Sequence, residues 1–343
     1  MADRALAGQA FGETLEQLAQ HRTNILGPPS SPRVRAHFLL FAMPTDLPPT
    51  IAPTAAAHWA AQLPATSPWL HEEVARRMEQ RLQWMTLQPQ SWVHWEPLRG
   101  GLQAQALLTT RYPKAECYMA LALAEHAQAA RKMIAPAWWN PSRWTGSVVH
   151  WGLPERPAQM LWANMALHMS ADPQALIARW HSLLEPRGFV MFSCLGPDTL
   201  RELRALYASQ GWPPASHAFT DMHDWGDMLV HAGFSEPVMD MERITLTFST
   251  PERMLAELRG LGRNLHPQRF AGLRGRVWHG QLLSQLRQLA KADSEGQSRL
   301  TFEIVYGHAF KAPPRLTVAP ETAVSLDAMR AALRQGKKND ASH

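Results

Sequence analysis

Phe189-Val190-Met191-Phe192-Ser193-Cys194-Leu195 is a nearly unbroken apolar run that ends at Gly196-Pro197 and leads into Asp198-Thr199-Leu200-Arg201-Glu202-Leu203-Arg204. Its length suits a strand buried on both faces. Gly196-Pro197 punctuates the run, and Asp198 or Thr199 is placed to cap a following helix. A second helix signal follows at Thr220-Asp221-Met222-His223-Asp224-Trp225-Gly226. There Thr220 or Asp221 suits the cap, and Asp221 and Asp224 suit the positive end of the helix dipole. Gly233 suits the left-handed residue that closes that helix. In an open α/β sheet, ligands gather outside the carboxyl ends of the strands. This reading therefore puts Asp198, Thr199 and Arg201 near a substrate mouth.

Working outward, strand and helix signals alternate, which predicts a parallel sheet with helices on both faces. Strands are expected at Ser91–Trp95, Ala115–Leu123, Gly146–Trp151, Gln159–Asn164, Phe189–Leu195, Val238–Phe248 and Leu300–Phe310. Helices are expected at Leu70–Leu87, Leu102–Thr110, Ala124–Ile134, Asp172–Leu184 and Asp221–Ala232. Pro186-Arg187-Gly188 reads as a turn into the fifth strand. Leu255–Leu261 and Trp278–Leu289 form a helical insert, about residues 250–295, between the last two strands. The domain spans residues 67–315. Residues 1–66, broken by Pro28-Pro29, Pro32, Pro44, Pro48-Pro49, Pro53 and Pro64, read as a mostly disordered extension with one amphipathic helix near Leu6–His21. Met43 offers a second start. Residues 316–343 read as a flexible tail with a short helix near Ser325–Gln335.

Composition sets further bounds. The chain has 343 residues, 45% hydrophobic and 18% charged, as a globular protein does. No segment reaches the roughly 18 apolar residues of a membrane helix, so no membrane association is expected. Cys117 and Cys194 are the two cysteines; both fall in expected strands and read as buried thiols, which fits a cytoplasmic protein. The net charge is +5, yet Lys and Arg form no cluster and no nucleic-acid motif is present, so no nucleic-acid partner is expected. His223 and His308 lack a paired carboxylate motif, so no metal site is expected.

The segment 189–234, together with Asn164-Met165-Ala166-Leu167-His168-Met169 and Tyr306-Gly307-His308-Ala309-Phe310-Lys311, resembles the malonyl-acyl-carrier-protein O-methyltransferases of biotin synthesis. These belong to the class I S-adenosylmethionine methyltransferases. The stretch is also similar to a related branch, the complex I assembly factors, some of them arginine hydroxylases. The resemblance runs from about Trp69 to Lys311 and is strongest after Met160. It implies a doubly wound, Rossmann-like α/β sheet, S-adenosyl-L-methionine as cofactor, and methyl transfer to the free carboxylate of a malonyl group on acyl carrier protein.

Family members follow the first strand with an acid and then Gly-x-Gly-x-Gly, so that the chain can approach the cofactor closely. Here the stretch is His94-Trp95-Glu96-Pro97-Leu98-Arg99-Gly100-Gly101. The resemblance assigns Glu96 in place of the acid, with Gly100, Gly101 and Asn164, as cofactor-binding candidates. The acid that closes the family's second strand falls about at Leu121, with Glu125 the nearest carboxylate. The acids of the third and fourth strands fall at His150 or Trp151 and at Gln159. Trp92, Trp95, Trp138, Trp139, Trp144 and Trp151 surround this region, either as stacking faces for the cofactor or as filling for its place. His168, Arg201, His223 and Tyr306 are the substrate-binding candidates, with Arg201 suited to grip a carboxylate. A carboxylate nucleophile is already ionised near neutral pH, so no catalytic base is required and none is assigned. The altered loop keeps an alternative open: a degenerate member that binds a partner or assists assembly without catalysis.

Overall fold

The structure is a computed structural model and describes residues 51–64, 66–134, 148–292 and 297–314. The expectations at Leu6–His21, Trp138, Trp139, Trp144 and Ser325–Gln335 lie outside these residues. Seven strands form one sheet: β1 (Ser91–Trp95), β2 (Glu116–Ala120), β3 (Val149–Trp151), β4 (Ala158–Ala163), β5 (Leu184–Leu195), β6 (Phe234–Phe248) and β7 (Ser298–Lys311). Their order is β3-β2-β1-β4-β5-β7-β6. The first five strands run parallel, and β7 lies antiparallel between β5 and β6. This is the doubly wound class I methyltransferase sheet anticipated from the sequence.

The strand sequences explain why the sheet is covered twice. Side chains alternate along a strand, and both alternating sets are apolar here. Trp92, Met160, Trp162, Phe189 and Met191 face one core, while Val93, Leu161, Ala163, Val190 and Phe192 face the other. The first core is closed by α2 (Trp69–Arg81), α3 (Ala104–Arg111) and α9 (Arg276–Ala292), through Leu70, Met78, Leu108 and Leu286. The second is closed by α5 (Pro173–Ser182) and α7 (Met222–His231), through Ile177, Trp180, Trp225 and Leu229. Asp172 caps α5 by accepting from the Ala175 N–H at 2.9 Å, and Asp221 caps α7 by accepting from His223 N–H at 2.8 Å. α4 (Ala124–Ile134) follows β2, and α8 (Pro251–Leu261) joins α9 between β6 and β7. No described helix is long and apolar enough to cross a membrane.

Two local expectations need correction. Neither Asp198 nor Thr199 caps α6 (Arg201–Ser209); the cap residue is Leu200, in the left-handed region, with no side-chain bond. Thr199 is drawn instead to β7, where its hydroxyl donates to the Glu303 carbonyl at 3.2 Å and accepts from the Glu303 N–H at 3.1 Å. Asp198 accepts from Arg243 at 2.9 Å. The fifth and sixth strands begin earlier than their apolar runs, with Arg187 (φ 70°) and Glu236 (φ 53°) near irregularities in register. Within the extension, Pro53–Ala61 forms helix α1.

Candidate cofactor and substrate site

β1 lies between β2 and β4, so the direction of winding reverses there and a crevice opens at the carboxyl ends. A cavity of about 180 Å³ occupies that crevice, lined by Trp95 at the end of β1 and Glu96 after it, Ala122 after β2, Asn164 and Met165 after β4, and Trp59 of α1.

Glu96 has φ 46° and ψ 52°, a left-handed conformation that costs a non-glycine residue roughly 1–2 kcal/mol. Glu96, the residue read in place of the family's acid, takes a backbone conformation that favours glycine. Its amide donates to the Ala120 carbonyl at 2.8 Å, and Oε1 accepts from the Ala122 N–H at 2.7 Å. A carboxylate rooted in β1 therefore reaches the end of β2, where the sequence offers no acid. Burial raises its pKa, opposed by the Ala122 bond and by the charges of Arg99 and Arg179.

Pro97 and Leu98 are buried but do not line the cavity. Gly100 packs so closely on β4 that a Cβ would stand 2.6 Å from the Asn164 carbonyl oxygen, and Gly101 adopts φ 113°. Asn164 bolts this region together. Its Nδ2 donates to the carbonyls of His71, at 2.8 Å, and Gly100, and its Oδ1 accepts from the Ser193 hydroxyl at 2.5 Å. With its amide saturated by protein, Asn164 shapes the wall. Arg99 latches α1: its guanidinium lies 4.1 Å from the centre of the Trp59 ring and donates to the carbonyls of Trp59, at 2.6 Å, and Gln62. α1 thereby roofs the cavity.

Met169 and Leu261 line both this cavity and a second chamber of about 300 Å³, so the two adjoin. The chamber is largely apolar, walled by Leu195, Leu203, Leu255, Leu282 and Phe302, with His168, Ser216, His217, Arg259, Arg263, Asn264 and His279 as its polar lining. His168 and His217 are buried, and desolvation lowers both pKa values, that of His217 to about 4. The chamber in turn shares Tyr207, Ala215, Arg263 and Asn264 with an outer groove of about 620 Å³ that also carries His58, Arg269 and Arg274. Of the five described non-glycine residues with positive φ, Glu96, Met165 and Leu200 line the cavity or the chamber. Backbone strain of this kind concentrates at functional sites.

The substrate candidates do not come together. His168 lines the chamber, but Arg201 and His223 are exposed and line none of these spaces. Arg201 donates to Glu202 at 3.2 Å, and the His223 ring stands 3.9 Å from Asp221. Tyr306 is buried away from the chamber, with Arg81 3.6 Å above its ring and its hydroxyl donating to Glu242 at 2.5 Å. The tryptophans divide similarly. Trp95 lines the cavity, Trp92 fills the core, and Trp151 carries Arg131 at 4.9 Å from its ring centre. Sequence reasoning missed Trp59, Arg99 and His217. Each acts through a contact distant in sequence, so no local pattern marks it.

The residues fit the cofactor that the fold implies. Glu96 offers a half-buried carboxylate suited to sugar hydroxyls, and Trp95, whose ring centre lies 5.2 Å from the Arg179 guanidinium, adds an aromatic wall. The cavity is about 180 Å³, and cavity and adjoining chamber together fall within the roughly 300–1,000 Å³ of typical ligand sites as the space shared by cofactor and acceptor. Sheet order, switch-point cavity and flanking chamber define a class I S-adenosylmethionine-dependent methyltransferase. No family model matches the sequence. The malonyl-[acyl-carrier protein] O-methyltransferase of Gallionella capsiferriformans is 36% identical over 263 residues, covering 72% of this chain and 86% of that protein. Its namesake from Nitrosospira multiformis is 34% identical over 270 residues, covering 74% and 86%. Among solved structures, the YcgJ protein of Bacillus subtilis aligns at TM-score 0.46 and 11% identity, covering 71% of this chain and 99% of that one. The chain belongs to the malonyl-[acyl-carrier protein] O-methyltransferase family.

Proposed function

We propose that this protein transfers a methyl group from S-adenosylmethionine to the free carboxylate of a malonyl group carried on acyl carrier protein. The observation that carries the reading is the contiguity of the switch-point cavity with the apolar chamber across Met169 and Leu261. A cofactor in the first would then adjoin an acyl group in the second. When bound, S-adenosylmethionine supplies an electrophilic methyl group on a sulfonium. The chain's own residues have the remaining work. Glu96 accepts hydrogen bonds from the cofactor's hydroxyls, and the glycine turn at Gly100-Gly101 holds the backbone close. Leu195, Leu203 and Phe302 strip water from the acceptor. An acyl carboxylate is already anionic at neutral pH, so no residue need remove a proton. The outer groove, with Arg263, Arg269 and Arg274, gives an acidic carrier a complementary rim.

The test is incubation of the full chain with methyl-labelled S-adenosylmethionine and malonyl-loaded acyl carrier protein. The account predicts label on the carrier-bound acyl group and far less on free malonate. Absence of label on the carrier, with cofactor binding intact, would contradict it. The alternative of a non-catalytic partner-binding member has no observation in its favour, since Glu96 faces into the cavity and Pro97 and Leu98 do not fill it.

A further inference from the structure

The chamber contains a polar group that the reaction itself does not use. His217 lies in the segment Trp212-Pro213-Pro214-Ala215-Ser216-His217 between α6 and α7, and is 3% exposed. Its Nε2 stands 3.0 Å from the His168 carbonyl oxygen. A carbonyl only accepts, so Nε2 carries the hydrogen. Burial holds the ring neutral at pH 7, and a neutral imidazole has one N–H. Nδ1 is therefore a bare lone pair. It is buried and has no hydrogen-bond partner among the described residues, in a residue that lines the chamber. Ser216 Oγ, in the same wall, also lacks a partner. The ring is held against Phe219, with centroids 4.8 Å apart.

A buried acceptor left unmet by the protein, in a residue that lines a ligand chamber, is one that a ligand can satisfy. The lone pair selects that ligand's chemistry. It repels a carboxylate and accepts from an N–H or O–H. The leucines and Phe302 favour a largely apolar ligand, Arg259 and Arg263 in the same wall suit polar or anionic groups borne elsewhere on it, and a secondary amide supplies an N–H without a charge at the ring.

We propose that His217 Nδ1 accepts an amide N–H from the arm that carries the acyl thioester, making His217 a specificity-determining residue that separates arm-borne acyl groups from free acids. This rests on the methyl-transfer reading above. In it the acyl carboxylate lies toward the cavity and the arm occupies the chamber, so that the amide passes His217. Ser216 Oγ is close enough in sequence to serve the same arm.

Two measurements on the full chain test this. First, pantetheine alone is added to ¹⁵N-histidine-labelled protein. The account predicts that the unprotonated Nδ1 signal of His217 shifts on titration while the unprotonated Nε2 signal of His94, a buried histidine outside the chamber whose Nδ1 donates to Gln105 Oε1, does not. An unmoved His217 signal at saturating pantetheine would overturn it. Second, methyl transfer to malonyl-coenzyme A, which bears the same amide arm, is compared in wild type and His217→Phe. The KM should rise about tenfold, the loss of one neutral hydrogen bond, with kcat changed far less and S-adenosylhomocysteine affinity unchanged. An unchanged KM would overturn the proposal. If wild type transfers no methyl group yet the pantetheine-dependent shift is present, the methyl-transfer reading fails and the role of His217 stands.

Discussion

Glu96→Ala is expected to weaken S-adenosylhomocysteine binding ten- to about a hundredfold. The residue stands at the end of β1 with its carboxylate turned across to the Ala122 amide and facing the cavity. A hydrogen bond to a charged partner contributes roughly 1.5–3 kcal/mol, which is about one to two orders of magnitude in affinity. Among the described residues no other carboxylate lines the cavity, so none of them takes over. Backbone strain gives an internal control. At φ 46°, glycine relieves a cost that alanine retains. Glu96→Gly should therefore melt higher than Glu96→Ala while binding as weakly. Titration calorimetry and thermal melts on the same samples separate the two effects. Equal affinity of wild type and both variants would remove Glu96 from the cofactor site.

The largest effect on stability is expected at Trp162. It lies in β4 in register with His94 of β1 and Met191 of β5, and is fully buried. Trp162→Ala removes the largest side-chain type from the middle of the sheet, where flanking strands cannot close the gap. A loss of about 3–5 kcal/mol is typical of such truncations, against a total stability of about 5–15 kcal/mol. The melting midpoint should fall by on the order of 10 °C. Trp162 Nε1 has no hydrogen-bond partner, so Trp162→Phe breaks no polar contact and should cost less than half as much. Phenylalanine and alanine variants with equal melting points would show that this core does not depend on the volume of residue 162.

Which features were legible follows from how local their causes are. β1 and the helix Ala124–Ile134 match their sequence-read bounds, because apolar period and flanking breakers coincide. The first residues of β5 and β6 were missed, because Arg187 and Glu236 take positive φ inside a strand, which no composition rule anticipates in residues of that kind. Thr199 was read as a cap because hydroxyls favour caps, but its partner, Glu303, lies 104 residues away. Arg201 and His223 were grouped with a substrate on the strength of their segments, and their helices turn both toward solvent. At Glu96 the loop reads as short of glycines, and only the structure shows that the glutamate takes the left-handed conformation itself and lines the cavity.

The most direct test is calorimetric titration of the full chain with S-adenosylhomocysteine. The account predicts saturable micromolar binding that weakens in Glu96→Ala. No heat of binding up to millimolar ligand, from protein with a cooperative thermal melt, would contradict the claim that the cavity between β1 and β4 is a working cofactor site.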